Sequence, residues 1–575
     1  MAVIANAFVE VALLEDLAQV GALTVQAGGR TLALFKYGEQ VYALDNRCPH
    51  MGFPLERGTV HDGILTCHWH HARFDLASGG TFDQWADDAA AFPVEIRDGA
   101  VWVDVSQHHD VQQRQRERLA VGLERDLPLV IAKAVLALDE GGSLLDAFRA
   151  GLDFGARYRA GGWGQGLTML TCLMNMVPRL RPEDRPRALY HGLSAVTRDT
   201  AGSAPRFGVR PLPTRDADIP TLKRWLRQFI EVRDDEGAER CVISAVRAGA
   251  SPRQMADMLF AAVTDHRYIQ IGHPADFTNK AFEALDIAGW DYAERVLPSL
   301  VRGYAGAARM EEANEWRSPI DLVALLEAAF AALSDALDAG AGRRWTECEA
   351  LVNKLLDDDP AASVNALLEA LRQGASMTAL AGAVTYAAAL RIARFHTSNE
   401  FGDWDTALHT FTFANAVEQG LKRTLSTELL RGVFDAAASV YLDRFLNIPP
   451  ARLPQPNGTD DAATLDALAD LLDRQQQVNE AGRLVADYLF GDEDDAALLA
   501  ALGGLLLRED RDFHTIQCAE AAFRQYETLR GSEPGTYTLV AAARYLAAHA
   551  PTVRAEGQTY TIARRMHRGE KLFEG

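Results

Sequence analysis

Two short motifs near the amino terminus combine cysteine and histidine, the side chains that most often bind transition metals. The first motif is Cys48-x-His50 and the second is Cys67-x-x-His70, with sixteen residues between them. Two thiolates and two imidazoles can hold zinc in a tetrahedral structural site. The same set can hold a [2Fe–2S] cluster, with both cysteines on one iron and both histidines on the other. The ligand count alone leaves both interpretations open.

The residues around the motifs favour the cluster. The segments "ALDNRCPHMGFPLERG" and "GILTCHWHHARFDLASGG" closely resemble the Rieske [2Fe–2S] domain in its ferredoxin and ring-hydroxylating oxygenase branch, and the resemblance covers roughly Leu14 to Val105. It implies that Cys48 and Cys67 bind the inner ferric iron, and that His50 and His70 bind the outer, more exposed iron. Such a cluster transfers one electron and offers no open coordination position to a substrate, so it implies an electron relay.

Two departures from the family pattern are informative. The high-potential branch has an extra cysteine in each loop, and the two form a disulfide. Here those places fall near Phe53 and Trp69, so no such disulfide can form. The absence of this disulfide predicts a reduction potential at the low end of the Rieske range. The family usually has glycine after the second ligand histidine, where this chain has His71. Because histidine tolerates positive φ poorly, we expect unusual backbone geometry there.

Beyond the linker, imidazoles and carboxylates recur at the turns between predicted helices. His396 and Glu400 are spaced i, i+4, as are Asp405 and His409, so each pair can share a helix face. If equivalent turns converge, these groups could bind non-haem iron among the helices. The candidate ligands of this second site are His273, Asp276, His396, Glu400, His409 and His514. The alternative interpretation is capping and salt-bridge chemistry at helix ends.

Internal repetition supports the idea that these turns are equivalent. Segments beginning at Ala245 and Ala370 align well, and fainter copies begin at Leu136 and Gly491. Each copy predicts an N-cap, a helix, a short polar turn and a second helix. We therefore expect helix pairs packed with approximate internal symmetry.

Hydrophobic periodicity divides the chain into two parts. Up to about Ser106 apolar and polar residues alternate around glycine turns, which is typical of hairpins. Later segments such as "LVALLEAAFAALSDALDA" have helical periodicity. The predicted fold class is multidomain, with an N-terminal all-β domain followed by a large all-α domain with helix-pair repeats. The predicted domains are residues 1–106, a linker at 107–120 and a helical domain at 121–575, with a sub-break near 447–461.

Composition limits the partners and the compartment. The net charge of −21 argues against nucleic acid or an anionic membrane surface as a partner. The first twenty residues lack a basic n-region, and no window reaches the ~18 continuous apolar residues of a membrane span. Six cysteines scattered over 575 residues do not suggest a disulfide framework. We expect a cytoplasmic protein.

These observations together predict an oxidoreductase. The [2Fe–2S] cluster would relay electrons from a reductase or ferredoxin to the non-haem iron site, where a small-molecule substrate is oxidised. Ring-hydroxylating oxygenases bind their mononuclear iron in an α/β domain through an Asp-x2-His-x4-His-like pattern, which this chain lacks. Aromatic dihydroxylation is therefore not inferred from the resemblance. The alternative is a Rieske ferredoxin or redox sensor fused to a non-catalytic helical scaffold. A homo-oligomer is compatible with the sequence.

Overall fold

The computed structural model of the protein describes residues 8–106, 111–213, 218–456, 465–491, 493–570 and 572. Within these residues the chain forms two compact units. The first unit runs up to Ala147 and includes the residues from Gln558 onward, and the second runs from Phe148 to Gly557.

The first unit contains all the β-strands of the described chain. The strands are β1 (Phe8–Leu13), β2 (Ala22–Ala27), β3 (Arg30–Tyr37), β4 (Gln40–Asp45), β5 (Thr59–His61), β6 (Ile64–Thr66), β7 (Arg73–Asp75), β8 (Ala91–Phe92), β9 (Val94–Arg97) and β10 (Ala100–Asp104). They form three antiparallel sheets in the orders β1-β10-β9, β2-β3-β4-β8 and β5-β6-β7. A short helix, α1 (Leu14–Val20), connects β1 to β2.

Two loops of this unit carry the cysteine–histidine motifs. The first loop follows β4 and is closed by a backbone bridge between Arg47 and Pro54. The second loop connects β6 to β7, whose pairing begins at Thr66 opposite Arg73. A core that includes Leu65 and Phe74 packs beneath both loops. The sheets therefore hold the two loops side by side.

Helices α2 (Val111–Glu124) and α3 (Pro128–Glu140) also belong to the first unit. Arg114 donates to the carbonyl of Asp88 and Arg118 to the carbonyl of Ala86, both at 3.1 Å. The predicted division placed residues 107–120, and with them most of α2, in a linker, and it placed residues from 121 onward, including α3, in the all-α domain. The structure has helix from Val111, and residues 107–110 lie outside those described.

Beyond α3 the described chain consists of helices and their connections, without β-strands, and most of these helices belong to the second unit. None of the helices in the described chain is long and apolar enough to cross a bilayer. In chain order the remaining helices are α4 (Leu144–Arg157), α5 (Gln165–Met176), α6 (Arg185–Thr200), α7 (Ile219–Glu231), α8 (Asp235–Arg247), α9 (Pro252–Thr264), α10 (His273–Ala288), α11 (Ala293–Val296), α12 (Val301–Gly306), α13 (Leu322–Ala331), α14 (Leu333–Gly340), α15 (Cys348–Leu355), α16 (Pro360–Arg372), α17 (Met377–Ala393), α18 (Asp403–Arg423), α19 (Thr427–Leu442), α20 (Leu465–Leu472), α21 (Val478–Phe490), α22 (Asp495–Leu507), α23 (Phe513–Leu529), α24 (Glu533–Ala548) and α25 (Ala555–His567).

The first helices of the two best-matched segments begin in the same way. Ser251 caps α9 and Ser376 caps α17, each accepting a hydrogen bond from the backbone N–H three residues later. Gly249 and Gly374, two residues before each cap, have φ of 78° and 98°. Glycine is favoured there because side chains disfavour positive φ.

The second helix of each predicted pair lies in one four-helix group, α5, α10, α18 and α23. Asn175 of α5 donates to Glu283 of α10 and to Glu520 of α23. Gln525 of α23 donates to Asn415 of α18. The predicted fold class, a β-rich domain followed by a large helical region, is confirmed. The internal repeat stays a prediction.

Candidate metal centres

The first candidate centre is formed by the two loops of the β-rich unit. Cys48 and Cys67 are buried, and only 2% and 1% of their respective surfaces are exposed to solvent. The rings of His50 and His70 lie 4.8 Å apart, edge to face. His50 is half-buried and His70 is exposed. The cysteines are therefore on the inside and the histidines toward solvent.

The surroundings of the two sulfurs favour one thiolate, at Cys67. Two backbone N–H groups from each loop donate to the sulfur of that loop. A hydrogen bond from the Cys48 thiol lowers the pKa of Cys67 to about 6, whereas the same hydrogen bond and burial raise the pKa of Cys48. Thiolate is the form of cysteine that binds metals, so Cys67 is the sulfur that is ready to bind one.

The imidazole of His50 has an unused ligand atom. Its Nδ1 is buried and has no hydrogen-bond partner among the described residues. Burial, together with the charges of His70 and Lys133, lowers the pKa of His50 to about 4, so the ring is neutral. A buried, unpartnered ring nitrogen needs an explanation, and a metal–nitrogen bond supplies one. The donor set therefore fits a [2Fe–2S] cluster held by Cys48, His50, Cys67 and His70.

The two departures seen in the sequence have clear structural outcomes. The rings of Phe53 and Trp69 lie 6.1 Å apart, so an aromatic contact joins the two loops. His71 has a φ of 62°, in the left-handed region that favours glycine. Its backbone N–H donates to the carbonyl of Cys67 at 3.0 Å, which closes the loop around the second cysteine. His68 is exposed, and its ring hydrogen-bonds to Thr59.

Three imidazoles from three helices meet in the second unit. His273, His409 and His514 each offer a ring nitrogen, and these atoms lie within 4.8 Å of one another. Nε2 of His409 is 3.1 Å from Nε2 of His514. Two ligand atoms at about 2.1 Å from one metal and at right angles to each other are about 3.0 Å apart. The spacing therefore suits a shared metal ion.

The three rings are partly buried and neutral nitrogen donors are available. Burial, reinforced by His273 and His514, lowers the pKa of His409 to about 3. Burial also lowers the pKa of His514. Phe277 and Phe513 pack against the ring of His273 at 5.3 and 5.4 Å. A half-apolar site with three imidazoles can bind a divalent transition metal.

A strained turn places His273 at the start of α10. Tyr268, Gln270 and Ile271 have φ of 43°, 45° and 49°, and Gly272 has a φ of 90°. A β-branched residue at positive φ is a genuine outlier. Gln270 is held by its N–H, which donates to the carbonyl of Ala308 at 2.7 Å. Strain of this kind concentrates at functional sites, and no sequence pattern had indicated it.

Carboxylates lie behind two of the three rings. Oδ2 of Asp276 is 4.0 Å from Nδ1 of His273, and Gln517 donates to the same oxygen. Oδ2 of Asp405 is 3.7 Å from Nδ1 of His514, and the Tyr545 hydroxyl donates to Oδ1 of Asp405 at 2.5 Å. Carboxylates in this position orient metal-binding histidines. Asp276, also a predicted ligand, lies outside the group of three and next to His273.

Two other predicted ligands are not part of this set. His396 and Glu400 lie in the connection between α17 and α18, outside any helix, so their spacing does not give them a common helix face. Nδ1 of His396 hydrogen-bonds to Ser398 at 2.6 Å, and Glu400 is exposed. Among the described residues, the histidines at 273, 409 and 514 form the only group of three or more donors this close together.

The first centre has counterparts in known proteins. Residues 7–92 match the family described as Rieske [2Fe-2S] domain. The ferredoxin component of the naphthalene 1,2-dioxygenase system of Pseudomonas putida is 28% identical over 100 residues, which cover 17% of this chain and 96% of that protein. Apoptosis-inducing factor 3 of Homo sapiens is 28% identical over 164 residues, which cover 28% of this chain.

The match to apoptosis-inducing factor 3 covers 25% of the length of that protein. Among solved structures, the ferredoxin of carbazole 1,9a-dioxygenase from Nocardioides aromaticivorans is 24% identical. The match covers 17% of this chain and 98% of that one, with a TM-score of 0.17. Residues 7–92 of this protein are a Rieske [2Fe–2S] domain.

Proposed function

We propose that this protein is an oxidoreductase in which the Rieske cluster passes electrons to a second metal, a non-haem iron, held by His273, His409 and His514. There dioxygen would oxidise a small-molecule substrate. The observation that carries the proposal is the meeting of three imidazoles from α10, α18 and α23, with their ligand atoms within 4.8 Å of one another.

The assignment of iron rests on the fusion to an electron relay. Three imidazoles also suit zinc or copper, because imidazole binds several divalent metals. Zinc has no redox chemistry and would leave a one-electron cluster without a function at this site. Three protein ligands leave coordination positions for dioxygen and substrate, as the open sites of catalytic iron require.

The residues around the imidazoles have defined tasks in this proposal. Asp276 and Asp405 would accept hydrogen bonds from the Nδ1 atoms of His273 and His514, which fixes Nε2 as the ligand atom. Phe277 and Phe513 would exclude water from one side of the centre and offer apolar contact to a substrate. Iron supplies dioxygen activation when it is bound.

The overall reaction would be a monooxygenation. One oxygen atom of dioxygen forms a C–OH group in place of a C–H bond, and the other leaves as water with two protons and two electrons. Each electron would come from a reductase or ferredoxin and pass singly through the cluster. The similarity of the Rieske domain to the ferredoxin component of a dioxygenase system supports this direction of electron flow.

The test is oxygen consumption by the full chain under a chemical or enzymatic electron supply. We expect His409→Ala and His514→Ala to abolish oxygen uptake above the cluster's own autoxidation, while the visible and EPR spectra of the cluster persist. His396→Ala is the matched control and should leave uptake unchanged, because His396 bonds to Ser398 outside the group of three.

Equal uptake by wild type, His409→Ala and His396→Ala would contradict the proposal. That outcome would instead favour a Rieske ferredoxin or redox sensor joined to a helical scaffold. Zinc at the three histidines in protein purified from iron-replete cells would contradict the redox role of this site.

A further inference from the structure

The amine of Lys133 reaches the first cluster loop from outside the matched family region. Lys133 lies on α3, about forty residues beyond Phe92, where the family match ends. Its Nζ donates to the carbonyl of Pro49, and to the carbonyl of His50 at 2.8 Å. Pro49 lies between the two predicted ligands of this loop, Cys48 and His50.

The position of the lysine is fixed by the packing of its helix. Ile131, Ala132, Ala134 and Val135 are fully buried, so α3 cannot rotate without exposing them. Helix α2 packs on α3 and is joined to the β-rich part by Arg118, which donates to the carbonyl of Ala86. The hairpin of α2 and α3 thus holds the ammonium against the loop.

The contact of the α2–α3 hairpin with the β-rich part lies close to His50. Trp85, next to Ala86 in the chain, lies 4.7 Å from the ring of His50. His50 is half-buried, whereas His70 is exposed. The cation is therefore associated with the loop of the shielded histidine, and the other ligand loop is left accessible.

Charge counting shows what a fixed cation would do here. Two ferric ions, two sulfides, two thiolates and two neutral imidazoles sum to zero, so one-electron reduction gives the cluster a net charge of about −1. A nearby positive charge stabilises the reduced form more than the oxidised form. Hydrogen bonds and charges near a cluster are known to change its reduction potential.

We propose that Lys133 is a positioning residue for the Rieske cluster, which braces the Cys48–His50 loop and raises the reduction potential through its positive charge. The α2–α3 hairpin is then a working part of the electron-transfer unit. This inference is independent of the second metal site, because every residue that carries it lies in the first unit.

The experiment is an EPR-monitored redox titration of the full chain. Lys133→Gln removes the charge but keeps a hydrogen-bond donor. We expect the ratio of reduced to oxidised cluster, measured at the wild-type midpoint potential, to fall about tenfold. That change corresponds to about 59 mV for one electron. Lys133→Arg should stay within about twofold of wild type, because the charge is retained.

Arg116→Gln is the matched control, since Arg116 is a cation of α2 that is 43% exposed and pairs with Asp146 at 3.0 Å. It should leave the midpoint unchanged. Lys133→Met, which has neither charge nor donor, should lower the potential and also speed cluster loss, because the loop loses its brace.

Three results would overturn the inference. The first is an unchanged midpoint in Lys133→Gln with the cluster intact. The second is an equal shift in Arg116→Gln, which would show a general charge effect. The third is a Lys133→Gln chain that assembles no cluster, which would make Lys133 a folding residue only.

Discussion

Nε2 of His409 lies 3.1 Å from Nε2 of His514, although 105 residues separate them in the chain. The first is in the interior of α18 and the second is the second residue of α23. Neither position is unusual by itself, and the two ring nitrogens meet only because α18 and α23 pack against each other.

Buried ion pairs join α10 to α23, the helices that carry His273 and His514. Lys280 bonds to Glu283 at 3.0 Å and to Glu520, and all three side chains are buried. Removing one member of a buried pair leaves an uncompensated charge. We expect Lys280→Met to reduce the free energy of unfolding by about 3–5 kcal/mol. Combining it with Glu520→Leu should cost less than the sum of the two single changes, measured by urea unfolding. A strictly additive double variant would contradict this coupling.

The same cluster predicts a loss of stability in acid. Burial alone would raise the pKa of Glu520, but Lys280 and Arg524 outweigh it and lower the pKa to about 2, below the ordinary 4.5. A depressed carboxyl pKa stabilises the fold above the unfolded value and loses this effect as pH falls through the folded one. We expect stability to fall between about pH 4.5 and pH 2. Glu520→Gln should flatten this part of the stability profile, and an unchanged profile would contradict the assignment.

Gly272 should be intolerant of any side chain. Its φ is 90°, and a Cβ added there would lie 2.7 Å from Cβ of Phe413, an atom that cannot swing away. Gly249→Ala is the control, because Gly249 has a φ of 78° and nothing within 4 Å of such an atom. We expect Gly249→Ala to cost about 1 kcal/mol. Gly272→Ala should cost about 2–4 kcal/mol and weaken metal binding by His273. Equal costs in thermal unfolding would show that the overlap is relieved.

His71 offers a stabilising change beside the first centre. Because its φ is 62°, replacement by glycine removes left-handed strain. We expect His71→Gly to raise the free energy of unfolding by about 1 kcal/mol. The control is His68→Gly, an exposed neighbour whose φ is not positive, which should bring no gain. Chemical denaturation of the cluster-loaded protein measures both, and a loss of stability in His71→Gly would contradict the strain assignment.

The sequence predicted the first centre more completely than the second, for a physical reason. Cys48 and His50 share one loop, as do Cys67 and His70, so local spacing reports on local geometry. The second site depends on how distant helices pack. There the predicted repeats drew attention to the segments around His273, His409 and His514, but they did not indicate which histidines of these segments face one another.

His396 and His514 illustrate the difference. His396 and Glu400 have helical spacing but lie in a turn, so the spacing did not describe a helix face. His514 comes from the faintest copy of the repeat and lies in the group of three. The left-handed turn before His273 has no sequence signature, since Ile271 is a residue that ordinarily avoids positive φ.

The central claim is a third iron, held by His273, His409 and His514, in a chain that also carries a Rieske cluster. Iron and acid-labile sulfide analysis of the iron-replete full chain, repeated on His409→Ala, tests it most directly. We predict about three irons and about two sulfides per chain in the wild type, and about two of each in His409→Ala, with the reduced-cluster EPR signal present in both. About two irons and two sulfides in the wild type itself would contradict the account.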